Sequence, residues 1–204
     1  MTDDPQSRLW TRHTVDETKQ IYADWAETYD KDVTAWGYAT PPRIAMALRL
    51  SGANPDKPVL DFGCGTGLSG QALKAAGFAQ IDGTDISAEM LEKARARGIY
   101  QHLWESEPGD MGHVKRGQYP IIVATGVISL GAAPPETLDM LLGVLPSGGL
   151  LAFSFNEATL ADRAYTDRLD VAVLAPDIEM AFEEEGPHLP AKHMTSAVYV
   201  LRRT

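Results

Sequence analysis

Val59-Leu60-Asp61-Phe62-Gly63-Cys64-Gly65-Thr66-Gly67 reads as a short buried strand running into a bend built on alternate glycines, and residues 68–76 follow with the composition of a helix. Glycines permit positive φ and let backbone approach a ligand closely. A helix start leaves N–H groups unpaired and open to an acceptor such as a carboxylate. The stretch therefore predicts a strand–turn–helix unit with room for a nucleoside-bearing ligand above the strand.

Gly63, Gly65 and Gly67 spell G-x-G-x-G, whereas a dinucleotide fingerprint is G-x-G-x-x-G, and Leu68 stands where its third glycine belongs. Asp61, just before the bend, would repel a pyrophosphate but suit a ligand carrying an ammonium and a sulfonium. The charge pattern favours S-adenosylmethionine (SAM) over NAD. A second acid, Asp85 in Gly83-Thr84-Asp85-Ile86-Ser87, lies 22 residues beyond Gly63. At a strand end its carboxylate can accept hydrogen bonds from both ribose hydroxyls. Ile86 and Met90 are placed to pack on an adenine face, though Met90 is equally an ordinary helix-core residue. Each feature has a plain alternative, since the glycines make a tight turn in any case and Asp85 stands where it can cap a helix from Ala88. Their joint order and spacing point to nucleoside binding.

Around this unit the pattern repeats. Short apolar runs at 59–62, 79–84, 100–104, 119–125 and 149–155 predict strands, and 68–76, 88–97 and 135–145 predict helices between them, as in a parallel sheet with right-handed crossovers. Residues 158–174 read as a helix, and 178–184 and 196–202 as an antiparallel strand pair. Upstream, Ile21, Trp25, Ala26 and Tyr29 recur at helical spacing within 15–34, and a second helix is expected over 42–50 behind Pro41 and Pro42. The fold class is α/β, a Rossmann-like doubly wound and mostly parallel sheet. A single domain is expected over 1–204, with the N-terminal helices of 1–52 forming a lid on a core at 57–204.

A chain of 204 residues with 44% hydrophobic and 23% charged residues excludes disordered and fibrous classes. A formal charge of −10 and a pI near 4.9 oppose a phosphate backbone, so no nucleic acid is expected as partner. No apolar run approaches the roughly 20 residues that cross a bilayer. The opening stretch 1–12 is polar rather than signal-like, so a cytoplasmic protein without membrane association is expected. Cys64 is the only cysteine, which excludes an internal disulfide and a cysteine-rich metal site, and no metal is predicted.

VLDFGCGTG at 59–67, together with Asp85 in GTDIS, resembles the class I SAM-dependent methyltransferases over most of the chain. Residues 22–30, YADWAETYD, look like the Y-x-x-W-A-x-x-Y-D opening of small-molecule members. Asp30-Lys31-Asp32-Val33, residues 96–101 (ARGIYQ) and Gly126-Val127-Ile128-Ser129 resemble the branch containing the Williams–Beuren region methyltransferase-like protein. The resemblance implies seven strands with an inserted antiparallel last strand. It also implies that Gly63, Cys64, Gly65 and Gly67 surround the methionyl part of SAM and that Asp85 holds its ribose. An acid after the third strand would meet the adenine amino group; Glu105, Glu107 and Asp110 are available, and strand length favours Glu107. Thr125 and Gly126 would flank the transferable methyl group. Tyr22, Trp25 and Tyr29 either cover it as a lid or staple the leading helix to the sheet.

Methyl transfer from a sulfonium is an in-line displacement whose leaving group needs no proton, so positioning carries much of it and a base is optional. His188 or His193 could take a proton from a hydroxyl or ammonium acceptor, and both are equally readable as exposed loop histidines. Residues 125–128 read TGVI rather than the Asp/Asn-Pro-Pro-Tyr/Phe arrangement of amide and adenine nitrogen methylation. With the acidic charge, this favours a small-molecule methyl acceptor on a monomer or homodimer. A protein side chain, a non-catalytic SAM-binding role and an NAD-dependent domain remain as alternatives.

Overall fold

The computed structural model describes residue 11 and residues 13–204; apart from Thr11, the opening stretch read above as unlike a signal lies outside them. Three N-terminal helices, α1 (Val15–Trp25), α2 (Tyr29–Ala35) and α3 (Thr40–Leu50), precede the alternating part. That part runs β1 (Val59–Phe62), α4 (Leu68–Ala75), β2 (Ile81–Asp85), α5 (Ala88–Ala96), β3 (Leu103–Glu105), β4 (Ile121–Ala124), α6 (Thr137–Val144) and β5 (Leu150–Asn156). It closes with α7 (Glu157–Leu160), α8 (Arg163–Val173), β6 (Ile178–Leu189) and β7 (Met194–Arg203). The strands form a seven-stranded sheet in the order β3-β2-β1-β4-β5-β7-β6. The first five pair in parallel, and β7 inserts antiparallel between β5 and β6. The order reverses between β1 and β4, and ligands of open α/β sheets bind above the strand ends at such a reversal.

Strand alternation sorts the core into two layers. Leu60, Phe62, Ile122, Leu151 and Phe153 face α6 and α8, where Leu138, Leu141, Tyr165 and Leu169 are buried. Val59, Ile121, Val123, Leu150 and Ala152 face Ile44 and Leu48 of α3 and Leu73 of α4. Each such side chain contributes on the order of 1.5–3 kcal/mol on burial. Asp61 shares the face of Val59 and so points under α4.

Five elements depart from the sequence reading. The helix read over 158–174 is two, α7 and α8, and the Asp162 side chain caps the second by accepting Ala164 N–H. The leading helix is broken: after Trp25, Ala26 N–H donates to Ala23 O (3.3 Å) and Thr28 N–H to Trp25 O (3.0 Å), i→i−3 bonds that tighten and end a helix. Thr28 Oγ1 and Trp25 Nε1 then both donate to Asp32 Oδ2, at 2.9 and 2.8 Å, fixing the angle at which α2 leaves. The helix grouped with the lid, α3, is instead a core element, because Ile44, Ala45, Ala47 and Leu48 are all buried against the sheet. The third strand begins at Leu103, and Tyr100 folds beneath the glycine bend, in space that Gly70 and Gly83 leave by lacking a Cβ. The strand β6 extends to Leu189, because β7 pairs with it through Gly186↔Ser196, Pro187↔Thr195 and Leu189↔Met194. As an edge strand, β6 tolerates Pro187. The two strands join through a short 3₁₀ turn, Pro190–Lys192, that ends on His193 at φ 55.

Candidate functional site

Above the ends of β1, β2 and β4 lies an open cavity of about 970 Å³, mouth included. The glycine bend brings Gly63 and Gly65 to its wall, the β2–α5 turn brings Asp85, Ile86 and Met90, and the segment after β3 brings Glu107. Thr125 and Gly126 arrive from the end of β4, and Tyr22 and Tyr29 reach over from the N-terminal helices. Of the acids considered after the third strand, Glu107 is the one at this wall; its carboxylate lies 3.7 Å from Lys19 Nζ. Trp25 does not reach this cavity.

Asp85 is tied to the bend. Its Oδ2 accepts Gly65 N–H at 2.8 Å and its Oδ1 accepts Ser87 N–H at 2.9 Å. The cap of α5 is not Asp85 but Ser87, whose Oγ accepts Met90 N–H at 3.3 Å. Burial pushes the Asp85 carboxyl above the usual range, against the hydrogen bonds that favour its charged form. A carboxylate has about four acceptor sites, so two backbone donors leave capacity for a ligand.

The glycines serve different ends. A Cβ on Gly65 would meet nothing within 4 Å, so the bend opens onto empty space there. A Cβ on Gly63 would lie 2.4 Å from a Val127 methyl. Gly67, at φ 92, lies against Arg97 and Tyr100 and is not among the residues that line this cavity. Cys64 is buried in a smaller recess behind the bend with Tyr38, Leu68 and Ser69, where desolvation pushes its thiol well up.

Asp61 is likewise not at the cavity wall. Its Oδ2 accepts Ser69 Oγ–H at 2.5 Å and Tyr100 O–H at 2.7 Å, and it is fully buried because alternation along β1 turns it toward α4. Desolvation, reinforced by Asp85, raises its pKa to about 6, while Ser69 and Tyr100 hold it from rising further. Asp61 Oδ1 and Thr125 Oγ1 are buried without a hydrogen-bond partner among the described residues. At Thr125, on the cavity wall, a ligand atom can complete the missing bond.

A second cavity of about 570 Å³, mouth included, adjoins the first and shares Tyr22, Tyr29, Tyr38 and Gly126 with it. His188 lines this one. The sequence offered His188 as an exposed loop residue, but the extended pairing of β6 buries it, with 6% of its surface exposed. Its Nδ1 shares a hydrogen bond with Thr40 Oγ1 at 2.7 Å, and desolvation, aided by Arg43, lowers its pKa to about 4. His193 is exposed at the β6–β7 turn and lines neither cavity. Burial pushes Tyr22 up to about 12 and raises Tyr29 and Tyr38 as well, so these phenols are neutral at physiological pH.

Several wall residues escaped the sequence reading. Tyr38, Ser106 and Thr137 stand in none of the motifs read above, and Val127 entered only as part of the resemblance at 126–129. A latch also went unread: Thr66 Oγ1 donates to Asp30 Oδ1 at 2.5 Å, and Arg97 pairs with Asp30 Oδ2 while donating to Thr66 O at 2.6 Å. It joins α2 to the bend.

The strand order, the inserted antiparallel strand and the glycine bend facing an acid define the class: this chain belongs to the methyltransferase domain family, whose model matches residues 38–197, and it is a class I SAM-dependent methyltransferase. It is 34% identical over 181 residues to human methyltransferase-like protein 27, covering 82% of this chain and 73% of that one. It is 28% identical over 191 residues to ribosomal protein L11 methyltransferase of Photorhabdus laumondii, covering 83% of this chain but 58% of that protein. The fold superposes with a TM-score of 0.58 and 14% identity on a SAM-dependent methyltransferase of Geobacter sulfurreducens solved with S-adenosyl-L-homocysteine, covering 81% of this chain and 90% of that one. Among the described residues no helix is long and apolar enough to cross a membrane.

Proposed function

We propose that this chain binds SAM in the open cavity and transfers its methyl group to a small molecule. The observation that carries the reading is the Gly65–Asp85 pair: backbone with open space beside it, held by a carboxylate at the next strand end. Asp85 retains acceptor capacity for ribose hydroxyls, Ile86 and Met90 flank the adenine, and Glu107 takes its amino group. Thr125 Oγ1 gains its missing partner from the methionyl end. When bound, SAM supplies an electrophilic methyl group and leaves as S-adenosylhomocysteine. The protein aligns acceptor and methyl and keeps water out, with Tyr22 and Tyr29 as the covering groups.

A compact acceptor is favoured because the second cavity, which adjoins the proposed methyl end, is about 570 Å³ with its mouth included. A protein side chain, the acceptor class in the names of the ribosomal L11 relatives, would have to enter that cavity from the surface. Calorimetry with SAM, S-adenosylhomocysteine and NAD tests the cofactor assignment. Asp85→Ala is expected to weaken SAM by about 1.5–3 kcal/mol, the range for hydrogen bonds to a charged group, and unchanged affinity would remove the ribose role. Incubating metabolite extracts and ribosomal proteins with isotopically labelled SAM separates the acceptor classes; label appearing only in protein would reject the small-molecule reading.

A further inference from the structure

Tyr22, Tyr29 and Tyr38 stand between the two cavities as a throat of phenol groups. Behind it, Trp25, Trp36 and Leu189 form apolar walls, and Ser154, Asn156 and His188 supply the polar groups. No Asp, Glu, Lys or Arg is among the described lining residues. The carboxylates nearest the lining stand outside it, Asp85 and Asp30 beside Tyr22 and Tyr29, Asp61 toward Tyr38 and Glu157 toward His188, and other charged groups nearby are engaged elsewhere. Arg43 donates to Glu184, to Pro187 O and to Ser196, Asp32 accepts from Trp25 and Thr28, and Lys192 Nζ lies 4.8 Å over the Trp36 ring.

Building on the proposed cofactor site, we infer that this second cavity receives the methyl acceptor, and that the acceptor is an uncharged ring compound carrying a hydroxyl, with no carboxylate, phosphate or ammonium on the part that enters.

Charge decides the class. An anion would be desolvated with no cationic side chain to receive it. A cation brought to about 4 Å from a sulfonium, at an effective dielectric near 20, is disfavoured roughly a thousandfold. Cation–π contact with one ring would return about thirtyfold of this. A neutral ring meets neither penalty and gains ring–ring contacts.

The polar groups fit a hydroxyl. Asn156 Oδ1 is engaged by Thr159, accepting its N–H at 3.0 Å and its Oγ1–H at 2.9 Å, which leaves the amide nitrogen as the donor end. Ser154 Oγ accepts Gly126 N–H at 3.1 Å, coupling the cavity floor to the β4 turn at the methyl end. His188 is uncharged at neutral pH and adds no positive charge beside a sulfonium. In the transfer, the hydroxyl oxygen's lone pair forms the bond to the methyl carbon, and the carbon–sulfur pair withdraws onto sulfur. The hydroxyl proton is released to solvent.

The test is NMR on the full chain saturated with SAM, ligand-observed for probe affinity and protein-observed for the tryptophan indoles, using p-cresol, p-toluate and 4-methylbenzylammonium as probes. We expect p-cresol to bind at least tenfold more tightly than either charged probe and to shift the indole resonances of Trp25 and Trp36. Asn156→Asp keeps the oxygen that caps α7 and adds a carboxylate, so 4-methylbenzylammonium should gain at least tenfold. A charged probe equal to p-cresol, an absence of p-cresol binding, or unmoved indole resonances would overturn the inference, with or without a folded variant. Failure of SAM itself to bind, read first by calorimetry, would instead reject the cofactor reading on which this one rests.

Discussion

Two adjoining regions of this molecule recognise their surroundings in opposite ways. At the glycine bend, backbone groups and the Asp85 carboxylate lie within the short sequence span 59–87, and Glu107 adds a second carboxylate to the same cavity wall. In the second cavity the lining comes from α1, α2, Tyr38, the turn after β4, β5 and the end of β6, and it carries no formal charge among the described residues. On the proposed assignment, the Asp85 and Glu107 carboxylates on the cofactor side and neutral rings on the other attract a cationic sulfonium to one side only. This arrangement also leaves the second side free to select by shape and hydrogen bonding.

Filling the bend tests this contrast most severely. Gly65→Val places a branched side chain in the open space and strains a residue at φ 53, so SAM affinity is expected to fall by at least a hundredfold in calorimetry. Retained tight binding by a folded variant would show that the bend does not hold the cofactor.

The two regions should also respond to pH with opposite sign. Folding raises Asp61 from an ordinary 3.8 to about 6, so its charge costs the folded state about 3 kcal/mol above pH 6, a cost that fades as pH falls toward 3.8. Folding lowers His188 from 6.5 to about 4, so its contribution is whole above pH 6.5 and about 3 kcal/mol is lost as pH falls to 4. Asp61→Asn keeps an oxygen for Ser69 and Tyr100, and denaturant unfolding should show it stabilised at pH 7 but near wild type at pH 4. His188→Gln should flatten the acid-side loss between pH 6.5 and 4. Parallel pH profiles for wild type and variant would contradict the burial argument in either case.

The smallest effect is expected at the latch between the regions. Asp30→Asn removes the ion pair with Arg97 but keeps an acceptor for Thr66, so stability should change by less than about 1 kcal/mol, as for other half-exposed ion pairs. Stopped-flow release of S-adenosylhomocysteine is expected to speed up two- to fivefold, and an unchanged rate would free α2 of any role in retention.

How far the site was readable follows from chain distance. Gly63, Gly65 and Asp85 belong to one strand–turn–helix–strand run, and local spacing announced them. Trp25 and Tyr29 were visible as a helical stripe, but the break at Ala26 was not, because it depends on Asp32 collecting two side-chain donors. Asp61 misled for a plain reason: its charge was legible, but its direction depended on which face of β1 α4 would cover. His188 was read as a candidate base or an exposed loop residue, but its burial was not legible, since it requires β6 to run past Pro187 and pair with β7.

The amino-acid order by itself determined the alternating α/β architecture, the bend and its facing acid, because periodicity and glycine act over a few residues. Only the tertiary structure decided that Gly67 and Asp61 turn to packing, that α3 belongs to the core, and that His188, Asn156 and three tyrosines meet around a neutral cavity. The physical reason is that strand register and helix docking are settled by summed burial over the whole sheet, which no local stretch of chain encodes.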